Sequence, residues 1–153
     1  MRRALLPFLV AASLAGCTTS GASSGPQDKA QLILHASGGH VTLEVEVADT
    51  PDERALGLMG RPSLAADAGM AFLWAQPVRG SLWMKDTLIA LSIAFWDEHG
   101  RIVSILDMEP CEADPCPTYA PGVVFAGAVE VNQGFFAEYG ITLGDRVELL
   151  PNQ

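Results

Sequence analysis

His40-Val41-Thr42-Leu43-Glu44-Val45-Glu46-Val47-Ala48 alternates almost perfectly. Val41, Leu43, Val45 and Val47 fall on one face, and Thr42, Glu44 and Glu46 on the other. A period of two is that of a strand with one dry and one wet face, the pattern of an antiparallel sheet. Residues 31–35 form a second strand, reached backwards through Ser37-Gly38-Gly39. Forwards, Thr50-Pro51-Asp52-Glu53 opens a short helix: Thr50 caps it, Pro51 fits its first turn and Glu53 completes a capping box. Gly60 and Pro62 close that helix.

Beyond the helix the chain reads as short strands separated by turn residues. Residues 70–74 and 81–84 are strand-like, parted by Gln76-Pro77. Residues 88–96 are nearly all apolar, as for a strand buried on both faces. Asp97-Glu98-His99-Gly100 turns the chain into a partner strand over 101–108. Residues 109–121 form a long irregular loop rich in proline. A strand over 123–131, a helical turn over 135–139 and a last strand after Gly144-Asp145 complete the chain. The expected fold is mainly β: a small antiparallel sheet closed or nearly closed into a barrel, with one or two short α-helices.

The chain has 153 residues, enough for one domain. The first segment is an address. Met1-Arg2-Arg3 carries positive charge, and residues 4–15 form an apolar stretch too short to span a bilayer, as in a secretory signal peptide. It ends in Leu14-Ala15-Gly16-Cys17, which resembles the lipobox of bacterial lipoproteins. That resemblance implies cleavage after residue 16 and lipidation of Cys17. By analogy with lipoproteins of diderm bacteria, Thr18 rather than Asp after Cys17 implies an outer-membrane anchor facing the periplasm. Residues 17–28 are a Thr/Ser/Gly/Ala tether, and a dozen such residues span about 20 Å. Residues 29–153 are the folded domain.

The net charge of −9 argues against nucleic acid as a partner, because a phosphate backbone calls for a basic surface. Cys111 and Cys116 lie in the proline-rich loop, and the oxidising compartment implied by the signal peptide makes a disulfide between them the expected state. No phosphate loop, nucleophile elbow, zinc spacing or cofactor motif appears. His35, His40 and His99 read as surface histidines.

The run Gly80-Ser81-Leu82-Trp83-Met84-Lys85-Asp86-Thr87 passes abruptly from apolar to charged. It fits first a strand end leaving the core, and also the wall of a polar pocket. With Glu53-Arg54, Gly57-Leu58-Met59, Arg61, Gly69-Met70, Ile93, Phe95 and Gly100, this run resembles the domain of unknown function 192 family. Pro110-Cys111, Cys116-Pro117-Thr118-Tyr119, Glu130, Gly134 and Gly144-Asp145 extend the likeness over about residues 41 to 149. Asp86 stands where the family usually has Asn, and Ser92 where it usually has Asp. The resemblance implies a compact β-rich fold and, for many members, an envelope location. It implies no reaction.

The polar and aromatic residues of these blocks are Arg61, Trp83, Lys85, Asp86, Thr87, Tyr119 and Glu130. Such a set suits a sugar-like or other small polar ligand. It also suits a structural ion-pair cluster, with Lys85 or Arg61 matched to Glu130 or Asp86. The expected function is a small-ligand or envelope-partner-binding module. The alternatives are copper handling through the thioethers of Met59, Met70 and Met84, and an enzyme using Lys85, Asp86 and Glu130 as acid or base.

Overall fold

The computed structural model describes residues 28–151. The expected signal peptide, Cys17 and nearly all of the tether lie outside the described residues.

The chain runs β1 (Lys29–Ala36), β2 (Gly39–Ala48), α1 (Pro51–Leu56), β3 (Ala68–Val78), β4 (Leu82–Trp83), β5 (Leu91–Trp96), β6 (Ile102–Met108), β7 (Thr118–Tyr119), β8 (Phe125–Asn132), α2 (Phe135–Glu138) and β9 (Arg146–Pro151). Seven strands form one sheet in the order β6-β5-β8-β3-β2-β1-β9, and β4 pairs with β7 in a second, two-stranded sheet. The mainly β character is as expected. The sheet is mixed rather than antiparallel throughout, because β2 and β3 run parallel, from Glu44 opposite Ala68 to Ala48 opposite Phe72. A parallel neighbour needs a crossover, and residues 49–67, with α1 inside them, supply it. Its one-and-a-half-turn helix is too short to read as a crossover in the sequence.

Local chemistry holds that crossover. The backbone N–H of Glu53 donates to the Thr50 hydroxyl at 3.3 Å, and the Glu53 carboxylate accepts from the Thr50 N–H at 3.0 Å. These bonds hold the Glu53 carboxyl below its usual range. Gly57 ends the helix at φ 49°, a left-handed conformation that glycine takes without strain. The break expected at Gln76-Pro77 is instead a register shift of β3 against β8, between Leu73 and Val78. An irregular stretch tolerates a proline that has no N–H for the ladder.

Each face of the sheet carries its own core. On one face Leu32 and Leu34 of β1, Leu43 and Val45 of β2, Val129 and Val131 of β8 and Trp96 of β5 pack with Phe135, Phe136, Ile141 and Val147. On the other, Met70 and Phe72 of β3, Leu91, Ile93 and Phe95 of β5, and Phe125 and Ala128 of β8 pack with Leu58, Met84 and Met108. All six residues of β5 are buried, which is why residues 91–96, Ser92 apart, read as apolar sequence rather than an alternation.

The edge strands β6 and β9 approach each other at one corner. Arg101 bridges Arg146, the Ile102 N–H donates to the Asp145 carbonyl at 2.8 Å, and the Val147 N–H donates to that of Gly100 at 2.7 Å. A side chain at Gly100 would meet the Val147 carbonyl at 2.7 Å.

The second core is covered differently. α1 and the turn after it, the β4–β7 pair and the loop between β6 and β7 lie over it. The Cys111–Cys116 disulfide is present. Cys111 bridges both Lys85 and Thr87 through its backbone, so the disulfide loop is tied to the segment that leaves β4.

Candidate cleft between the sheet and its irregular cover

The cover leaves a gap. A cavity of about 420 Å³ opens between α1, the end of β3, residues 81–87 and the outer face of β8. Its size is within the range of small-molecule sites. Leu58 and Phe72 line its apolar interior, and Leu56 and Trp83, each 46% exposed, stand at its mouth. Ser81, Thr87 and Thr118 add hydroxyl groups to the wall.

Glu130 lies at the bottom. It sits mid-strand on β8, opposite Met70 of β3 and Ile93 of β5, and is 4% exposed. Among the described residues no group hydrogen-bonds its carboxyl. Desolvation alone pushes its pKa up to about 8, so the carboxyl carries its proton at neutral pH. The strand pairing that holds it depends on Gly69, because a side chain there would meet the Glu130 carbonyl oxygen at 2.7 Å.

Arg54 is the other ionisable group of the wall. Its Nη1 donates to the carbonyl oxygens of Asp49 and Leu73, the latter at 2.9 Å, and its Cζ lies 5.3 Å from the centroid of Trp74. Trp74 in turn packs edge-on against Phe125, with centroids 5.0 Å apart. The cation is thus fixed by backbone oxygens and an aromatic face. Among the described residues no carboxylate lies within ion-pair distance of it.

A family model for domain of unknown function 192, described as an uncharacterized ACR, matches residues 32–149. The chain belongs to the domain of unknown function 192 family. No curated protein matches it. Two solved structures are similar to this family member. One, from Sinorhizobium meliloti 1021 and described as a "putative transcription regulator", is 29% identical with a TM-score of 0.75, covering 82% of this chain and 96% of its own. The other, a protein of unknown function from Novosphingobium aromaticivorans DSM 12444, is 30% identical with a TM-score of 0.74, covering 90% of this chain and 94% of its own.

Of the seven polar and aromatic residues singled out in the domain of unknown function 192 motifs, three line the cleft: Trp83, Thr87 and Glu130. The other four stand elsewhere. Arg61 makes a two-pronged pair with Glu46 at 2.5 and 2.6 Å, and that bond holds the Glu46 carboxyl below its usual range. Lys85 donates to Asp114 of the disulfide loop at 2.7 Å, and its Nζ lies 5.7 Å from the Trp83 ring centroid. The Tyr119 hydroxyl accepts from the backbone N–H of Glu109 at 3.2 Å. Asp86 has φ 52°, and its carbonyl accepts from the Gly60 N–H at 2.8 Å. Asn and Asp tolerate that left-handed conformation better than other non-glycine residues, which accounts physically for either one at this position. Neither Lys85 nor Asp86 lines the cleft with Glu130.

Met70 and Met84 are fully buried in the second core, while Met59 lines the cleft. Sequence reasoning missed Arg54, Trp74 and Thr118 as wall residues, while Ser81 belonged to the run that also fitted a pocket wall. Arg54 and Thr118 stood inside motif blocks, and that was the available signal. Trp74 read as the end of an apolar strand.

Proposed function

We propose that this domain is a small-ligand-binding module, and that its ligand seats in the cleft over Glu130. The observation that carries this reading is the buried, unpartnered carboxyl of Glu130 at the base of an open cavity. Burying a polar group without a partner costs about 1–3 kcal/mol, and a ligand that hydrogen-bonds it recovers that cost on binding. The apolar wall and the exposed indole of Trp83 suit the flat face of a sugar-like or other small polar molecule. The rigid sheet, read as a small barrel whose edges meet at Arg101 and Arg146, supplies the floor.

The lipobox at Cys17 supports an anchored module on the periplasmic side of the outer membrane. Cys17→Ser should release the chain from the membrane fraction. Unchanged membrane retention would contradict the anchor. The net charge of −9 speaks against nucleic acid as the ligand, so the description of the Sinorhizobium protein is not carried over.

The binding reading is tested by a thermal-shift screen of the full chain against sugars, small acids and envelope glycan fragments. A ligand at about a hundred times its Kd adds about 2.7 kcal/mol, enough to raise the Tm by several degrees. The shift should vanish in Trp83→Ala. A shift that survives both Trp83→Ala and Glu130→Leu would place binding outside this cleft.

A further inference from the structure

The charges around the cleft narrow the ligand further. The two other cations of the motif blocks are neutralised, Arg61 by Glu46 and Lys85 by Asp114. Arg54 has no carboxylate partner among the described residues, and only its Nη1 is hydrogen-bonded. The elements around Glu130 bring no other charge to the cleft. β3 contributes Phe72 and Trp74, β5 lies alongside with Ile93, the turn after α1 contributes Leu58 and Met59, the segment after β4 contributes Thr87, and β7 contributes Thr118. The wall of the cleft itself thus holds one guanidinium without a carboxylate partner and one uncharged carboxyl, in a chain that is acidic as a whole.

We propose that the ligand is a small organic anion, a carboxylate on a flat apolar body, with its acid group held between the free donors of Arg54 and the buried carboxyl of Glu130. This rests on the small-ligand reading above and names its ligand class. A guanidinium and a carboxylic O–H both donate to a carboxylate, and such charge-assisted bonds are about twice as strong as neutral ones. The body of the ligand lies against Trp83 and the apolar wall. A neutral analogue of the same shape leaves Arg54 uncompensated. Once Glu130 loses its proton, it accepts where it formerly donated and repels the ligand. Because burial holds that proton to about pH 8, affinity falls as pH rises through that value.

The test uses the purified full chain with indole-3-propionate and cinnamate, each beside its primary amide, and with cellobiose as a neutral sugar. Indole N–H NMR signals report binding. Trp74 and Trp83 line the cleft, and Trp96, in the first core, is the internal control. At about pH 6 the acids should shift Trp74 and Trp83 but not Trp96, and bind about tenfold more tightly than their amides, a difference of one charge-assisted contact. Arg54→Gln should erase that preference and Arg54→Lys should retain part of it. Between about pH 6 and about pH 9.5 the acids should weaken about tenfold or more in the native protein, and hold constant in Glu130→Gln. Equal binding of acid and amide, or acid binding that strengthens with pH, would overturn the proposal. Cellobiose shifting Trp74 and Trp83 while neither acid does would overturn it and leave the binding module standing. No shift with any probe would overturn the binding module as well.

Discussion

The two faces of the central sheet bury similar side chains and end up unlike. The first face is largely sealed by the sheet's own strands and by α2, with a smaller opening of about 170 Å³ beside Val41 and Ile141, and its core is apolar throughout. The second is covered by irregular segments: α1 with its turn, the two-residue strands β4 and β7, and a disulfide-tied loop. Regular strands pack without gaps because their side chains interdigitate at fixed spacing. Irregular cover does not, and here it leaves a cavity with a carboxyl at its base. One face therefore contributes chiefly to stability, and the other gives up some stability to hold a buried carboxyl that no group hydrogen-bonds among the described residues.

Truncation in the sealed face should give the largest effect. Leu34, wholly buried in the first core, should cost about 3–4 kcal/mol as Leu34→Ala in chemical denaturation, without changing ligand affinity. A cost below about 1 kcal/mol would mean that this core is not close-packed.

The open face should respond to pH in the opposite sense to an ordinary paired carboxylate. Glu130 binds its proton more tightly folded than unfolded, so stability falls as pH rises from the unfolded pKa near 4.5 to about 8, and then levels. Glu130→Gln removes that loss. The variant should be more stable than the native protein by on the order of 3 kcal/mol at about pH 7 and about equal at about pH 4.5. Glu46 has the reverse sign. Its pKa is lowered by Arg61, so its contribution is present at neutral pH and is lost as pH falls below its ordinary range. Arg61→Ala should flatten the acid side of the stability curve and leave the alkaline side unchanged.

The cover should depend on its tie. Removing the cross-link with Cys111→Ser and Cys116→Ser should cost about 2 kcal/mol by the loop-closure estimate. It should loosen residues 85–87, where Cys111 pairs, before it loosens β1 or β2 in hydrogen exchange. The smallest change in stability belongs to Trp83→Ala. A half-exposed indole should cost less than about 1 kcal/mol, while ligand binding is lost.

The sealed face was the more legible in the sequence. The alternation of Val41, Leu43, Val45 and Val47 is local, and so is the turn at Gly100. The parallel pairing of β2 with β3 was not legible, since strand direction is absent from local periodicity and α1 is only six residues long. The cleft was legible in part. Glu130, Thr87 and Trp83 stood out as motif residues, but their meeting depends on segments 47 or fewer residues apart folding over one sheet face. Arg61 and Lys85 looked equally suited to a site until their partners Glu46 and Asp114 were known. Ser92 makes the same point. It stands where the family usually has Asp, yet its hydroxyl hydrogen-bonds Asp107, its cross-strand partner on β6, and accepts from the Gly134 N–H at 2.9 Å. The acid lies one strand over, and only the register reveals it.

Binding in the cleft turns on a buried Glu130 carboxyl that keeps its proton. The most direct measurement is a titration of the Glu130 side-chain carboxyl by carbon-13 NMR in the full chain. The midpoint should fall near pH 8 and move higher when a carboxylate ligand is bound. A midpoint near the ordinary value of 4.5 would show a hydrated, ionised carboxylate and would contradict this reading.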